Sequence, residues 1–298
     1  MGNSYNRQVS ELFESQLQEW RLAKDNYEGL NHIKTKEIYF DGFSINVQFN
    51  PGRVRSTCAA DMQNQTKRPV SCFLCAENRP VEQKGILFEK DFTILCNPYP
   101  VFSRHLTIAS NEHKPQSIAG NLPVMLRLAQ ALPSFIVFYN GPECGASAPM
   151  HLHFQAGIKH EFPIHNNFAA LKNRFTYISK TNFQSQMIKD GIRTFYVLEG
   201  DNPEVLANLF AREFCHEGKE PNLNILAWSE NKHWTICIFK RKQHRPSQFY
   251  EEGDLQILVS PAAVEMAGLL ITPRLTDFEK INKTNLCDIY KQVIINCY

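Results

Sequence analysis

The segment FIVFYNGPECGASAPMHLHFQAGI, residues 135–158, constrains the fold more than any other. It holds two apolar runs, FIVFYNG and HLHFQAGI, separated by a loop of Gly, Ser and Pro. Such a loop between two strand-forming runs reads as the connection between partner strands. Strand alternation then places His151, His153 and Gln155 on one face. Leu152, Phe154 and Ala156 fall on the other, the core face. Three nitrogen-bearing side chains in a row must look onto a cleft, a metal or solvent.

The flanking sequence predicts mixed elements. Residues 7–25 show a helical stripe of Val9, Leu12, Phe13, Leu17 and Trp20. EIYFDGFSINVQFN predicts a hairpin turning at Asp41-Gly42. GILFEKDFTILCNPY and HLTIAS predict strands, and NLPVMLRLAQAL a short helix. After about residue 160 the pattern restarts. RTFYVLEG predicts a strand, and NPEVLANLFAREFC a helix capped by Asn202 with Pro203 at its first position. NLNILAWSENKHWTICIFKR predicts a second hairpin, residues 253–274 at least one more strand, and TDFEKINKTNLCDIYKQVI a closing helix. Strands and helices interleave without the regular crossovers of a parallel sheet, so the expected class is α+β. The expected division is residues 1–160 and 161–298.

Composition excludes several classes. Of 298 residues, 43% are hydrophobic and 21% charged, which argues against disorder. A net charge of +2 gives no electrostatic reason for nucleic-acid binding. The apolar runs SFIVFY and EMAGLLI are too short to span a bilayer. The polar start, MGNSYNRQVSEL, has no apolar signal core, so the expected address is the cytoplasm. Nine cysteines, an odd number in a long chain, argue against a disulfide framework. Cys96 and Cys237 lie in apolar runs and read as small core residues.

Cys72-Phe73-Leu74-Cys75 stands apart. A CxxC serves as a redox pair, a metal knuckle or two buried thiols. Its polar loop context fits a knuckle better than a redox pair, which opens a helix after a strand. Zinc takes four ligands, and His113 and His151 are the candidates for the other two. Buried or free thiols are the alternative. His153 has a different chemistry available, since a neutral imidazole is a competent nucleophile at phosphorus. The loop GPECGAS offers backbone N–H groups to phosphate oxygens, and Gln155 a neutral donor. The alternative is an exposed strand with polar side chains.

Four segments, CFLCAENRP, EKDF, FYNG and GASAPMHLHFQ, resemble the galactose-1-phosphate uridylyltransferase branch of the histidine-triad (HIT) superfamily, whose motif is His-x-His-x-Gln. HLHFQA and FNPGRVRST are also similar to GDP-L-galactose phosphorylases. The resemblance covers residues 45–157, and beyond them rests on the strand–helix order and on SPAAVEMAGLLI. It implies two HIT-like halves, each an antiparallel sheet with packed helices, and the catalytic histidine in the first only. It implies that His153 accepts a nucleoside monophosphate and that Gln155 marks a transferase. It implies a structural zinc on Cys72, Cys75, His113 and His151. Asn140 and Ser147 fall where the family contacts nucleotide phosphates, Asp91 and Phe92 in the segment that meets base and ribose. Arg53 and Arg55 fall where a sugar phosphate is held. The implied partners are a nucleotide sugar with phosphate or a sugar phosphate, in a homodimer without nucleic acid or membrane. Leu152 replaces the family's usual Pro, a feature of the GDP-hexose phosphorylases, which leaves base and sugar open.

Three weaker candidates remain. FKRKQHRPSQFY, with Lys240, Arg241, Lys242, His244 and Arg245, reads by default as a solvated hairpin face. The other reading makes it the second half's share of a phosphate site. His160 and His165 would rim the site or lie exposed. Glu265, in the apolar run AAVEMAG, fits a helix surface.

Overall fold

The structure is a computed structural model, and it describes residues 2–53, 71–177, 186–216 and 218–295. The chain starts with helices α1 (Gly2–Glu19) and α2 (Arg21–Glu28). The helix expected over 7–25 is broken at Trp20, whose extended backbone turns its indole into the core at 5% exposure. Strands β1 (Lys34–Tyr39) and β2 (Ser44–Phe49) form the expected hairpin. Its turn uses Gly42 at φ +86°, where a Cβ would be strained. Next come β3 (Gly85–Phe88), β4 (Phe92–Cys96), β5 (His105–Ser110), α3 (Leu122–Ala131), β6 (Phe135–Asn140) and β7 (His153–Ile158).

Two short helices follow, α4 (Pro163–Asn166) and α5 (Phe168–Phe175). Then β8 (Thr176–Tyr177), β9 (Gln186–Lys189) and β10 (Thr194–Gly200) lead to α6 (Pro203–Phe214). The Asn202 side chain accepts from the Glu204 and Val205 amides, as its N-cap position requires. The hairpin β11 (Leu223–Glu230) and β12 (His233–Lys240) turns through Asn231 and Lys232, both at positive φ. The chain ends with α7 (Ala263–Met266), β13 (Leu269–Thr272), α8 (Leu275–Lys280) and α9 (Lys283–Val293). The closing helix is therefore two helices.

Ten strands form one antiparallel sheet in the order β3-β4-β5-β7-β6-β11-β12-β10-β9-β8. Five come from residues 85–158 and five from 176–240, joined where β6 pairs with β11. A second sheet, β1-β2-β13, has β13 parallel to β2. Residues from the two ends of the sequence thus share one small sheet.

β6 is buried on both faces, which explains its unbroken apolar run. Phe135, Val137 and Tyr139 join the core under α1, α3 and α6. Ile136 and Phe138 face the core shared with the small sheet and α9. In β7, Phe154 and Ala156 take the helical side, with Leu152 just before them, all at 0% exposure. The opposite face of β7 carries His153 and Gln155. Among the described residues no helix is long and apolar enough to cross a membrane.

Candidate functional site

His151 lies just before β7 and turns toward the Cys72–Cys75 knuckle. The knuckle is a tight turn, closed by the Cys75 amide on the Cys72 carbonyl at 3.2 Å. Arg79 donates twice to the Leu74 carbonyl, and Leu74 plugs into the sheet beside Leu95 and Ala109. Cys72 Sγ lies 3.3 Å from His151 Nδ1, and Cys75 Sγ 3.1 Å from His113 Nδ1. The four ligand atoms of Cys72, Cys75, His113 and His151 lie within 4.8 Å of one another. His151 Nε2–H donates to the Ser110 carbonyl at 2.8 Å. That bond fixes the tautomer and leaves Nδ1 as a lone pair toward the thiols, the orientation metal-bound histidines adopt. Two sulfurs and two imidazole nitrogens at this spacing fit a tetrahedral zinc ion.

His153, two residues on, uses its nitrogens the other way round. Its Nδ1–H donates to the His151 carbonyl at 2.8 Å. Its Nε2 is buried and has no hydrogen-bond partner among the described residues. Burial pushes the imidazole pKa down to about 4, so the ring is neutral at physiological pH. The backbone here is clamped by Gln116, which is 2% exposed. Gln116 Oε1 accepts the His153 amide at 2.8 Å, and its Nε2 donates to the carbonyls of His153 (3.0 Å) and Asn140 (2.9 Å). A side-chain amide thus completes the ladder where β6 and β7 separate.

Gln155 is half-buried, and its Oε1 lies 2.9 Å from His105 Nε2. Arg53 is half-buried, donates to the Tyr99 carbonyl, and lies close enough to His105 to depress its pKa further. Asn140 is buried, and its Oδ1 accepts from Asn224 Nδ2 and from the Ala263 amide, both at 2.8 Å. Ser147 is exposed on the loop leading to His151. Asp91 is exposed at the β3–β4 turn, where its carbonyl accepts the Asn111 amide. Phe92 is not brought to the site. Its ring is 3% exposed and packs on Phe154, on the sheet face opposite His153. Arg55 lies outside the described residues, as do Cys58 and Cys297.

The second half roofs this region, a feature the sequence left unassigned. The 239–250 stretch is only partly a solvated face: Lys242 is exposed, but two of its arginines are buried. Arg241 is 1% exposed and donates to the Asn224 side chain and to the carbonyls of Val293, Gln243 and His244. Arg245 is 5% exposed; its Nε donates to Ser260 Oγ, and His244 Nε2 lies 2.9 Å from the same oxygen. Gly145, at φ +99°, passes under this cluster. A Cβ there would stand 2.6 Å from Ala262 Cβ, so only glycine fits. Glu265 is not on a helix surface: it is 7% exposed and accepts the Ala262 amide at 2.8 Å. Burial pushes its carboxyl up to about 7, although Arg53 and Arg241 pull it down. His165 lies elsewhere, against Trp228 and Glu230, and His160 is exposed. Gln116 and His105 also went unread. A register pairing β5 with β7 would have placed His105 on the face of Gln155, but a loop glutamine gives no signal of its own.

Comparison with known proteins finds likeness in sequence and in fold. Residues 12–158 match a family model described as "Domain of unknown function (DUF4922)". Galactose-1-phosphate uridylyltransferase of Bacillus subtilis is 29% identical over 126 residues, 37% of this chain and 24% of that one. The enzyme of the same name from Clostridium perfringens is 27% identical over 191 residues, 58% of this chain and 38% of that one. The yeast Ap4A phosphorylase in complex with Ap4A superposes with a TM-score of 0.63 at 17% identity, over 96% of this chain and 95% of that one. The chain is therefore similar in sequence to galactose-1-phosphate uridylyltransferases and in fold to the yeast Ap4A phosphorylase. The chain spans less than two-fifths of the length of the curated relatives it matches. Its fold, by contrast, matches the yeast structure nearly end to end.

Proposed function

We propose that this protein transfers a nucleoside monophosphate from a nucleoside diphosphate sugar or a dinucleoside polyphosphate to phosphate or a hexose 1-phosphate, through His153. The observation that supports this most is the buried, unpartnered Nε2 of a neutral imidazole whose other nitrogen is tied to a carbonyl. The Nε2 lone pair attacks the α-phosphorus, and the bond from that phosphorus to the bridging oxygen breaks. The electron pair leaves with the sugar 1-phosphate or nucleoside polyphosphate. The imidazole keeps its Nδ1–H, and the His151 carbonyl stabilises the positive charge on the ring. An acceptor phosphate oxygen then attacks the same phosphorus, the N–P bond breaks, and neutral His153 is restored.

In this reading Gln155 donates to a non-bridging oxygen, and Ser147 and the loop amides around it hold the neighbouring phosphates. Arg53 compensates the charge of the departing phosphate, and Asp91 meets the ribose. Asn140 serves through its bonds to Asn224 and Ala263, which bring the roof of the second half over the loop. Cys72, Cys75, His113 and His151 would hold zinc, which supplies a structural cross-link between the knuckle and the start of β7.

The test is incubation with α-phosphate-labelled UDP-, GDP- and ADP-sugars and Ap4A. The expected result is acid-labile label on the protein, chased off by phosphate or hexose 1-phosphate and absent from His153→Ala. Tight nucleotide binding without label or exchange would instead identify a zinc-stabilised nucleotide-binding module. Label retained by His153→Ala would remove His153 from the mechanism.

A further inference from the structure

Gln155 can help a phosphoryl transfer only if its NH2 faces the phosphate; turned over, the amide presents an oxygen that repels it. The hydrogen bonds around His105 decide between these two orientations. The Val101 amide donates to His105 Nδ1 at 3.4 Å, which makes that nitrogen the acceptor. The proton of a neutral imidazole then sits on Nε2, 2.9 Å from the Gln155 side chain. A donor there requires the carbonyl oxygen of Gln155, and the NH2 is left to point away. His105 is itself enclosed by its neighbours. It is 1% exposed, its ring packs on Phe102 and Phe138, and the Tyr27 hydroxyl bonds both its backbone amide and its carbonyl. Burial, reinforced by Arg53, holds its pKa at about 3, so the ring stays neutral and keeps this one arrangement.

We propose that His105 is a positioning residue that locks the Gln155 amide with its NH2 toward the phosphate bound at His153. The catalytic consequence rests on the function proposed above; the amide orientation does not. Thr107 and Ala109 follow His105 along the same face of β5, opposite Gln155 and His153. The device therefore belongs to the strand next to the nucleophile.

His105→Phe keeps ring volume and removes both nitrogens. The rate of protein labelling should fall roughly tenfold to a hundredfold, the range for losing an outer partner of a reacting group. The nucleotide concentration giving half-maximal rate should change little. In a Gln155→Ala background the same substitution should cost less than about twofold, because nothing remains to orient. The second readout needs no turnover. The side-chain amide resonance of Gln155, identified by its loss in Gln155→Ala, should move toward the position of a free glutamine in His105→Phe. Losses that multiply in the double variant, or an amide resonance unmoved by His105→Phe, would overturn the proposal. If the wild-type protein takes no label from any nucleotide, the proposed function fails, and the amide resonance alone decides the role of His105.

Discussion

His151 and His153 are separated by one residue and are wired in opposite senses. His151 gives its Nε2 proton to Ser110 and offers Nδ1 to a pair of thiols. His153 gives its Nδ1 proton to the His151 carbonyl and keeps Nε2 buried without a partner among the described residues. In each case a backbone carbonyl selects which nitrogen keeps its lone pair. One lone pair meets soft ligands suited to a metal. The other meets no partner within the described chain, which is costly for a buried polar atom unless a ligand repays it. The candidate metal ligand and the unpartnered imidazole are therefore two outcomes of one residue type, set by main-chain geometry.

The contrast predicts separable phenotypes. The largest effect is expected from His153→Ala, which should abolish covalent labelling while the metal content of the purified protein stays as in wild type. Metal lost along with the label would join the two regions that the hydrogen bonds keep apart. Gln155→Ala should slow labelling by about 10²–10³, the cost of one donor to a developing charge, read in single-turnover experiments. A loss under threefold would leave Gln155 without a role at the phosphate.

Cys72→Ser should act on the other side of the comparison. Zinc measured by mass spectrometry should drop out, and stability should fall by at least about 3 kcal/mol, since a structural zinc site contributes binding energy to folding. Unchanged metal content would mean that the ligands are others. The smallest effect concerns the roof over the His153 side. A carboxyl with a higher pKa folded than unfolded favours the folded chain while it is protonated. For Glu265 that contribution is whole below about pH 4.5 and is lost as pH rises through about 7. Glu265→Gln should remove the loss, gaining on the wild type between pH 5 and 8 by at most on the order of 3 kcal/mol in denaturant titrations. A pH-independent difference between the two would show that Glu265 is not buried as a neutral acid.

Local patterns in the sequence were legible where local physics decides. The Asp41-Gly42 turn, the Asn202 cap and the alternation of Leu152, Phe154 and Ala156 each follow from a few adjacent residues, and the structure has them. The meeting of Cys72, Cys75, His113 and His151 was legible for a different reason, since zinc chemistry restricts the residue types that can take part. What long-range packing decides was not legible. The joining of β6 to β11 depends on the register of strands more than 80 residues apart. It is this junction that buries Arg241 against Asn224 and turns a basic stretch into internal scaffolding. Gln116 carries no periodic signal because its side chain, not its backbone, completes the ladder. Phe92 reads as a nucleotide contact by resemblance, yet its strand parity sends it to the helical layer with Phe154.

The central claim is that Nε2 of His153 is the nucleophile. Its most direct test is to trap the labelled protein at alkaline pH, digest it, and locate the nucleotide by mass spectrometry. Phosphorus–nitrogen couplings on protein carrying ¹⁵N-labelled histidine then tell which ring nitrogen bears it. The account predicts a single nucleoside monophosphate on His153, bonded through Nε2. An adduct on another residue, or on Nδ1 of His153, would contradict it.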